Sequence, residues 1–171
     1  LDTRLDYIPE FLIEKYKTDG KLDFEGAAQV ILEFNKSIMD SVYDLVPAVK
    51  IQSAYYELYS VEGIKTFYET IRYAKEKGLV VIGDVKRNDI GPTAKAYSSA
   101  YLGKTQMKDN QSRAFETDMI TINPYLGIDG VLPFLEDCRE YNKGIFILIK
   151  TSNPSSGDFQ DLTVDGKRLY E

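Results

Sequence analysis

The sequence predicts an α/β fold built on a parallel sheet, and three observations carry that expectation. Short apolar runs of strand length alternate along the chain with longer stretches whose apolar residues recur at helical spacing. Two of the runs, Gly78-Leu79-Val80-Val81-Ile82-Gly83 and the segment from Gly144 to Lys150, are strongly apolar without alternation, as strands covered on both faces are. The polar motifs fall at the C-terminal ends of strands: Asp2, Lys50, Asp84 with Lys86, Asn123, then Thr151 and Ser152. A (β/α)8 barrel and an open doubly wound sheet both gather ligands at that face, so the pattern alone leaves the two architectures open.

The elements follow in order. Ala27, Ile31, Phe34, Ile38, Val42 and Leu45 mark an amphipathic helix, with Asp23 as its N-cap. A short strand spans Pro47 to Gln52 and carries Lys50 near its end. Val61, Ile64, Phe67, Ile71 and Ala74 mark a helix capped by Ser60 and closed by Gly78. A strand over 79–84 leads through a charged loop into a helix from Pro92 to about Leu102, with the proline in its first turn. Residues 103–117 are polar and read as a loop. Asp118 to Asn123 reads as a strand, Ile128 to about Tyr141 as a helix, and Gly144 to Lys150 as a further strand. Ser155-Ser156-Gly157-Asp158 opens a long polar loop, and a final helix is expected near Lys167.

Composition narrows the chemistry. At 171 residues and 43% hydrophobic, the chain has material for one core. A net charge of −6 argues against nucleic acid or an anionic membrane as partner. No apolar run approaches the ~18 residues of a membrane span, and the N-terminus lacks the basic-then-apolar pattern of a signal peptide. The lone Cys138 excludes an intramolecular disulfide and fits a reducing, cytoplasmic setting; on the apolar stripe of its helix it reads as a small buried hydrophobe. The absence of histidine excludes Ser-His-Asp and Cys-His catalysis and histidine-based zinc sites within this chain. Neither a Gly-x-x-x-x-Gly-Lys phosphate loop nor a Gly-x-Gly-x-x-Gly dinucleotide turn is present. Acid–base chemistry therefore falls to Lys, Asp, Glu or Tyr.

The densest group of such residues is Asp84-Val85-Lys86-Arg87-Asn88-Asp89-Ile90-Gly91-Pro92-Thr93. Side chains alternate along a strand, so Asp84 and Lys86 point the same way at the strand end, and Asp89 sits just past it. Two carboxylates around one ammonium make either a salt-bridged strand end or a catalytic charge cluster. Lys50 has the same two readings, a partner for Asp84 or a lysine reaching for water. Asp89 and Thr93 can equally be loop polarity and helix capping, Asn153 a turn residue before Pro154, and Asn123-Pro124 the shaping of a strand end.

The spacing Asp-x-Lys-x-x-Asp-Ile-Gly-x-Thr resembles the signature of the orotidine 5'-monophosphate decarboxylase family, and related spacings occur across its superfamily. Three further segments resemble strand ends of the family's longer bacterial type, in the family's order: Val49-Lys50-Ile51-Gln52, Thr121-Ile122-Asn123-Pro124-Tyr125-Leu126-Gly127 and Lys150-Thr151-Ser152-Asn153-Pro154-Ser155-Ser156. Ile51 departs from the family in standing where proline is usual. Leu1-Asp2-Thr3-Arg4 resembles the end of the first strand, so the similarity covers essentially the whole chain.

The resemblance implies a TIM barrel of which this chain carries about the first five strands, residues 1–171 forming a single partial-barrel domain without the last strands and their phosphate-binding loops. It implies decarboxylation of orotidine 5'-monophosphate to uridine 5'-monophosphate in de novo pyrimidine synthesis, with no cofactor and no metal. In that reading Lys86 protonates C6, Asp84 faces the substrate carboxylate and Lys50 neutralises and orients Asp84. Asp2 binds ribose, and Ser152 the pyrimidine amide edge, with Thr151, Asn153 and Asn123 nearby. A homodimer is implied, with Asp89 and Thr93 reaching the neighbouring subunit's site. Two rivals remain: a magnesium-dependent superfamily relative acting on sugar phosphates, and a non-catalytic ligand-binding fragment.

Overall fold

A computed structural model describes residues 1–171. Its elements in chain order are α1 (Glu10–Lys15), α2 (Phe24–Val42), β1 (Ala48–Gln52), α3 (Ala54–Glu57), α4 (Ser60–Glu76), β2 (Val80–Arg87), α5 (Gly91–Tyr101), β3 (Thr105–Met107), β4 (Asn110–Ser112), β5 (Met119–Ile122), α6 (Leu132–Tyr141), β6 (Gly144–Ile147), α7 (Gly157–Gln160), β7 (Thr163–Val164) and β8 (Lys167–Arg168). No helix is long and apolar enough to cross a membrane.

The main sheet has four strands in the order β1-β2-β5-β6, every pair parallel. The order follows the chain, with α3 and α4, α5, and α6 carrying the three crossovers. Sequential order is what a barrel requires, whereas a doubly wound sheet reverses direction at a switch point. The fifth predicted strand, Leu1 to Arg4, lies extended beside β1. The Gln52 amide donates to Leu1 O at 3.4 Å and the Leu1 amino group to Lys50 O, but two contacts do not make a ladder, and a 3-10 turn at Leu5–Tyr7 follows at once.

The core lies between this sheet and the helices. Ile51, Val81, Ile120 and Ile122 are fully buried, with Val30, Ile31 and Met39 of α2, Phe67 and Ile71 of α4, and Phe134 of α6. Asp23 caps α2 as predicted, its Oδ1 accepting the Gly26 amide at 2.8 Å. At the end of α4, Gly78 adopts φ +79°, with Leu79 N bonded to Ala74 O and Gly78 N to Lys75 O, a Schellman closure.

Four expectations need correcting. Ser60 does not cap α4: it is the helix's first residue and its side chain makes no capping bond. Residues 103–117 are not a plain loop, because β3 and β4 pair antiparallel within them, outside the main sheet. The helix expected near Lys167 is a hairpin, β7 with β8, turned by Asp165 and Gly166 at φ +51° and +80°. An Asp-Gly pair favours that two-residue turn, and two positive-φ residues cannot start a helix. Finally, the last strand ends at Ile147 rather than Lys150, which leaves Thr151 and Ser152 on a loop beyond it.

Candidate active site

β1 and β2 run in parallel register, with Gln52 opposite Asp84, so the polar residues at both C-terminal ends come to one place. Asp84 is the centre of the group, its side chain 9% exposed. Lys50 Nζ reaches its Oδ2 at 2.8 Å and Lys86 Nζ its Oδ1 at 2.6 Å. Gln52 Nε2 donates to Oδ2 at 3.0 Å and the Thr121 hydroxyl to Oδ1 at 2.9 Å. Asp2 extends the array from the N-terminal segment, 3.5 Å from Lys50 Nζ. Charges alternate along this line: Asp2, Lys50, Asp84, Lys86.

Burial pushes the Asp84 carboxyl up, but hydrogen bonds from Lys50, Lys86 and Thr121 outweigh it and hold the group below its ordinary value, as a carboxylate. Burial likewise lowers Lys50, and Asp84 and then Asp2 more than reverse it, so Lys50 stays an ammonium. Both lysine side chains remain nearly half exposed, 46% for Lys50 and 47% for Lys86. The carboxylate is thus sunk in the strand ends while its two cations face outward, where a ligand can meet them.

The other predicted residues are placed apart. Asp89 is on the loop after β2, its Oδ1 accepting the Ile90 amide at 2.8 Å, and Thr93 is exposed in the first turn of α5. Asn123 turns the end of β5, its Oδ1 accepting the Tyr125 amide at 2.9 Å. Thr151 donates to Asn153 Oδ1 at 2.6 Å and accepts from Gln160 Nε2 at 2.8 Å, while Ser152 is exposed. Asn123 and Thr151 line a cleft of about 460 Å³ whose walls are largely apolar, among them Tyr125, Ile149, Phe159 and Tyr170. The structure brings Asp2, Lys50, Asp84 and Lys86 together and leaves Asp89, Thr93, Ser152 and Asn153 outside that group.

Three residues here escaped the sequence reading. Gln52 and Thr121 both bond Asp84, and Arg87 donates to Glu57 at 3.0 Å and to the Tyr101 hydroxyl at 3.2 Å while lying over the Tyr97 and Tyr101 rings. Gln52 carried a signal, since strand alternation puts it beside Lys50's end of β1. Thr121 carried none, because a threonine inside a strand reads as β-propensity. No group of three or more Asp, Glu, Cys or His side chains is gathered as a metal-ion cage.

Comparison with known proteins bears on this geometry. Residues 22–170 match the family described as Orotidine 5'-phosphate decarboxylase / HUMPS family. The chain is 47% identical over 171 residues to an orotidine 5'-phosphate decarboxylase of Caldicellulosiruptor saccharolyticus, covering all of this chain and 56% of that protein. It is 42% identical over 170 residues to one of Petrotoga mobilis, covering 99% of this chain and 53% of that protein. The chain therefore spans about half the length of the curated relatives it matches. Among solved structures, the OMP decarboxylase of Leishmania donovani superposes with a TM-score of 0.71 at 29% identity, over 94% of this chain and 61% of that one. That of Plasmodium berghei, at 24% identity, shares the fold, with a TM-score of 0.74 over 95% of this chain and 47% of that one. The four parallel strands and their helices are part of a TIM barrel. With its charged strand ends at the barrel's C-terminal face, the chain belongs to the orotidine 5'-phosphate decarboxylase / HUMPS family.

Proposed function

We propose that the full-length protein decarboxylates orotidine 5'-monophosphate to uridine 5'-monophosphate in the cytoplasm, and that this chain carries its charge array. The observation that carries the reading is the Asp84 carboxylate, held between the ammonium groups of Lys50 and Lys86 at the strand ends. In the reaction the bond between C6 and the carboxylate breaks, CO2 departs and the electron pair stays on C6. Lys86 stabilises that pair as it forms and then delivers its proton there, which closes the valence without a cofactor.

Two effects could lower the barrier, and magnitudes rank them. Repulsion between Asp84 and the substrate carboxylate is worth about 4 kcal/mol at ~4 Å and an effective dielectric near 20. Enzymes supply roughly 8–23 kcal/mol in all. Moreover, two lysines already offset the Asp84 charge. Stabilisation of the developing charge at C6 by Lys86 is therefore the larger contribution, and Asp84 serves chiefly to hold the two cations in place.

Asp2 is suited to ribose hydroxyls, and Ser152 and Asn153, with Asn123 and Thr151 of the largely apolar cleft, to the pyrimidine edge. Asp89 and Thr93, which make no contact with the Asp84 cluster and of which Thr93 is exposed, fit donation to a second copy's site in a homodimer. The test is turnover of orotidine 5'-monophosphate by the full-length protein, with and without EDTA. Stoichiometric uridine 5'-monophosphate and CO2 at a rate unchanged by EDTA is expected. Loss of activity with EDTA, regained with Mg²⁺, would replace this reading with a magnesium-dependent one, and no turnover at all would leave a ligand-binding role.

A further inference from the structure

β2 does not keep step with β5. From Gly83 to Arg87 it takes four residue steps, while its partner takes two from Ile120 to Ile122. The excess is a bulge, and within it Lys86 adopts φ +45°, a left-handed conformation that costs a non-glycine residue about 1 kcal/mol or more. A bulge also takes amides out of the ladder. The Val85 and Lys86 amides find no strand carbonyl; both donate instead to one atom, Thr121 Oγ1, at 3.0 and 2.9 Å.

A hydroxyl has two lone pairs and one proton. With both lone pairs taken by amides, the Thr121 proton is committed outward, and it meets Asp84 Oδ1 at 2.9 Å. That is the oxygen that Lys86 Nζ also bonds, at 2.6 Å. One buried hydroxyl therefore touches both ends of the Asp84–Lys86 pair: the backbone of the lysine and the carboxylate of the aspartate. Because its polarity is fixed, it can donate to Asp84 and cannot accept from it, which favours the ionised form.

We propose that Thr121 is a positioning residue for the reaction, its hydroxyl setting at once the bulged backbone of Lys86 and the orientation of the Asp84 carboxylate. The proposal rests on the decarboxylase reading for its kinetic part only. The other charged groups facing Asp84 are Lys50 on β1, Lys86 on β2, and the Leu1 amino group and Asp2 of the N-terminal segment; β5 presents only the hydroxyl. Removing it should leave Asp84 a weaker acid.

Thr121→Val keeps the branched shape and deletes the hydroxyl, and Thr121→Ser keeps the hydroxyl and deletes the methyl. In the full-length protein, Thr121→Val should lower kcat about tenfold to a hundredfold with KM nearly unchanged, as befits a hydrogen bond to a charged group. The acid limb of its kcat/KM profile should move to higher pH, and Thr121→Ser should restore both. Should the valine protein not fold, Thr121→Cys, a weaker donor of similar size, should show the same two changes in smaller degree. A ¹³C NMR titration of the Asp84 carboxyl reads the same shift without turnover, so it decides the inference even if orotidine 5'-monophosphate is not the substrate. Wild-type kcat and an unmoved Asp84 titration in the valine or cysteine variant would overturn the proposal. So would a folded Thr121→Ser protein as impaired as Thr121→Val, since packing of the methyl would then be the role.

Discussion

Two aspartates in this molecule have nearly the same partners and opposite surroundings. Asp84, at the C-terminal end of β2, holds Lys50 and Lys86; Asp118, just before β5, holds Lys75 at 2.8 Å and Lys143 at 3.1 Å. Both carboxylates are held below their ordinary value although burial pushes each of them up. The difference lies in what else they bind. Asp118 accepts the Val81 amide at 2.9 Å, joining the start of β2 to the lysine in the last turn of α4 and the lysine following α6. Its partner Lys143 is only 9% exposed. Asp84 sits at the other end of the same strands, and its lysines stand half in solvent. A charge triad at the N-terminal face of a barrel ties elements together, while one at the C-terminal face with outward cations is available to a ligand. A carboxylate between two lysines is thus no site by itself; the strand end and the exposure of the cations decide.

The sharpest way to break this comparison is to remove one lysine from each triad. Lys86→Ala in the full-length protein should lower kcat/KM at least a thousandfold, because the cation and the proton source vanish together, while the melting temperature changes little. Lys143→Ala should do the reverse, keeping kcat/KM and lowering the melting temperature by a few degrees. Steady-state kinetics and thermal melts on the pair decide it. More than a tenth of wild-type kcat/KM in Lys86→Ala would remove the catalytic half of the contrast.

A second contrast concerns Asp89, which lies outside the Asp84 triad. If Asp89 serves the neighbouring subunit, Lys86→Ala and Asp89→Ala proteins, each inactive, should complement when mixed. Every hybrid dimer then has one site with both lesions and one with neither, so a fully exchanged equimolar mixture should regain roughly a quarter of wild-type activity. Subunit exchange followed by a turnover assay measures this. No recovery after verified exchange would place Asp89 within its own site.

The fold was legible where local chemistry and period agree. The Asp23 cap and the Gly78 closure each have a local cause and stand where the sequence puts them; the apolar runs are parallel strands too, but the last stops at Ile147 and leaves Phe146 and Ile147 exposed rather than covered on both faces. The hairpin of β7 and β8 was missed although Asp165-Gly166 announced it, because Lys167-Arg168-Leu169-Tyr170 is short enough to suit a helix start equally well. In the site, Asp84 and Lys86 were legible from alternation, but the bulge that puts Lys86 at positive φ was not, since strand alternation cannot reveal it. Thr121 was illegible for the same reason: its hydroxyl matters only once two amides have left the ladder.

The smallest expected effect concerns pH, and here the two triads should behave alike. Each aspartate has a folded-state value below its unfolded one, so each contributes stability that is fully present above the ordinary carboxylate value of about 3.9. That stability is lost as pH falls through this value towards the lowered one, because the unfolded chain takes up the proton first. Asp118→Asn should therefore be destabilised by about 1–3 kcal/mol at neutral pH, Lys143 having lost a charged partner in a nearly buried position. The deficit should shrink steadily below about pH 4, where the wild-type carboxylate is itself being neutralised. Asp84→Asn should show the same pH dependence with a smaller amplitude, since water can replace the carboxylate at its half-exposed lysines. Urea unfolding of the three proteins between pH 3 and 7 measures both amplitudes. A deficit for Asp118→Asn that persists unchanged at pH 3 would mean that its carboxylate contributes shape rather than charge, and the resemblance between the two triads would then be one of geometry only.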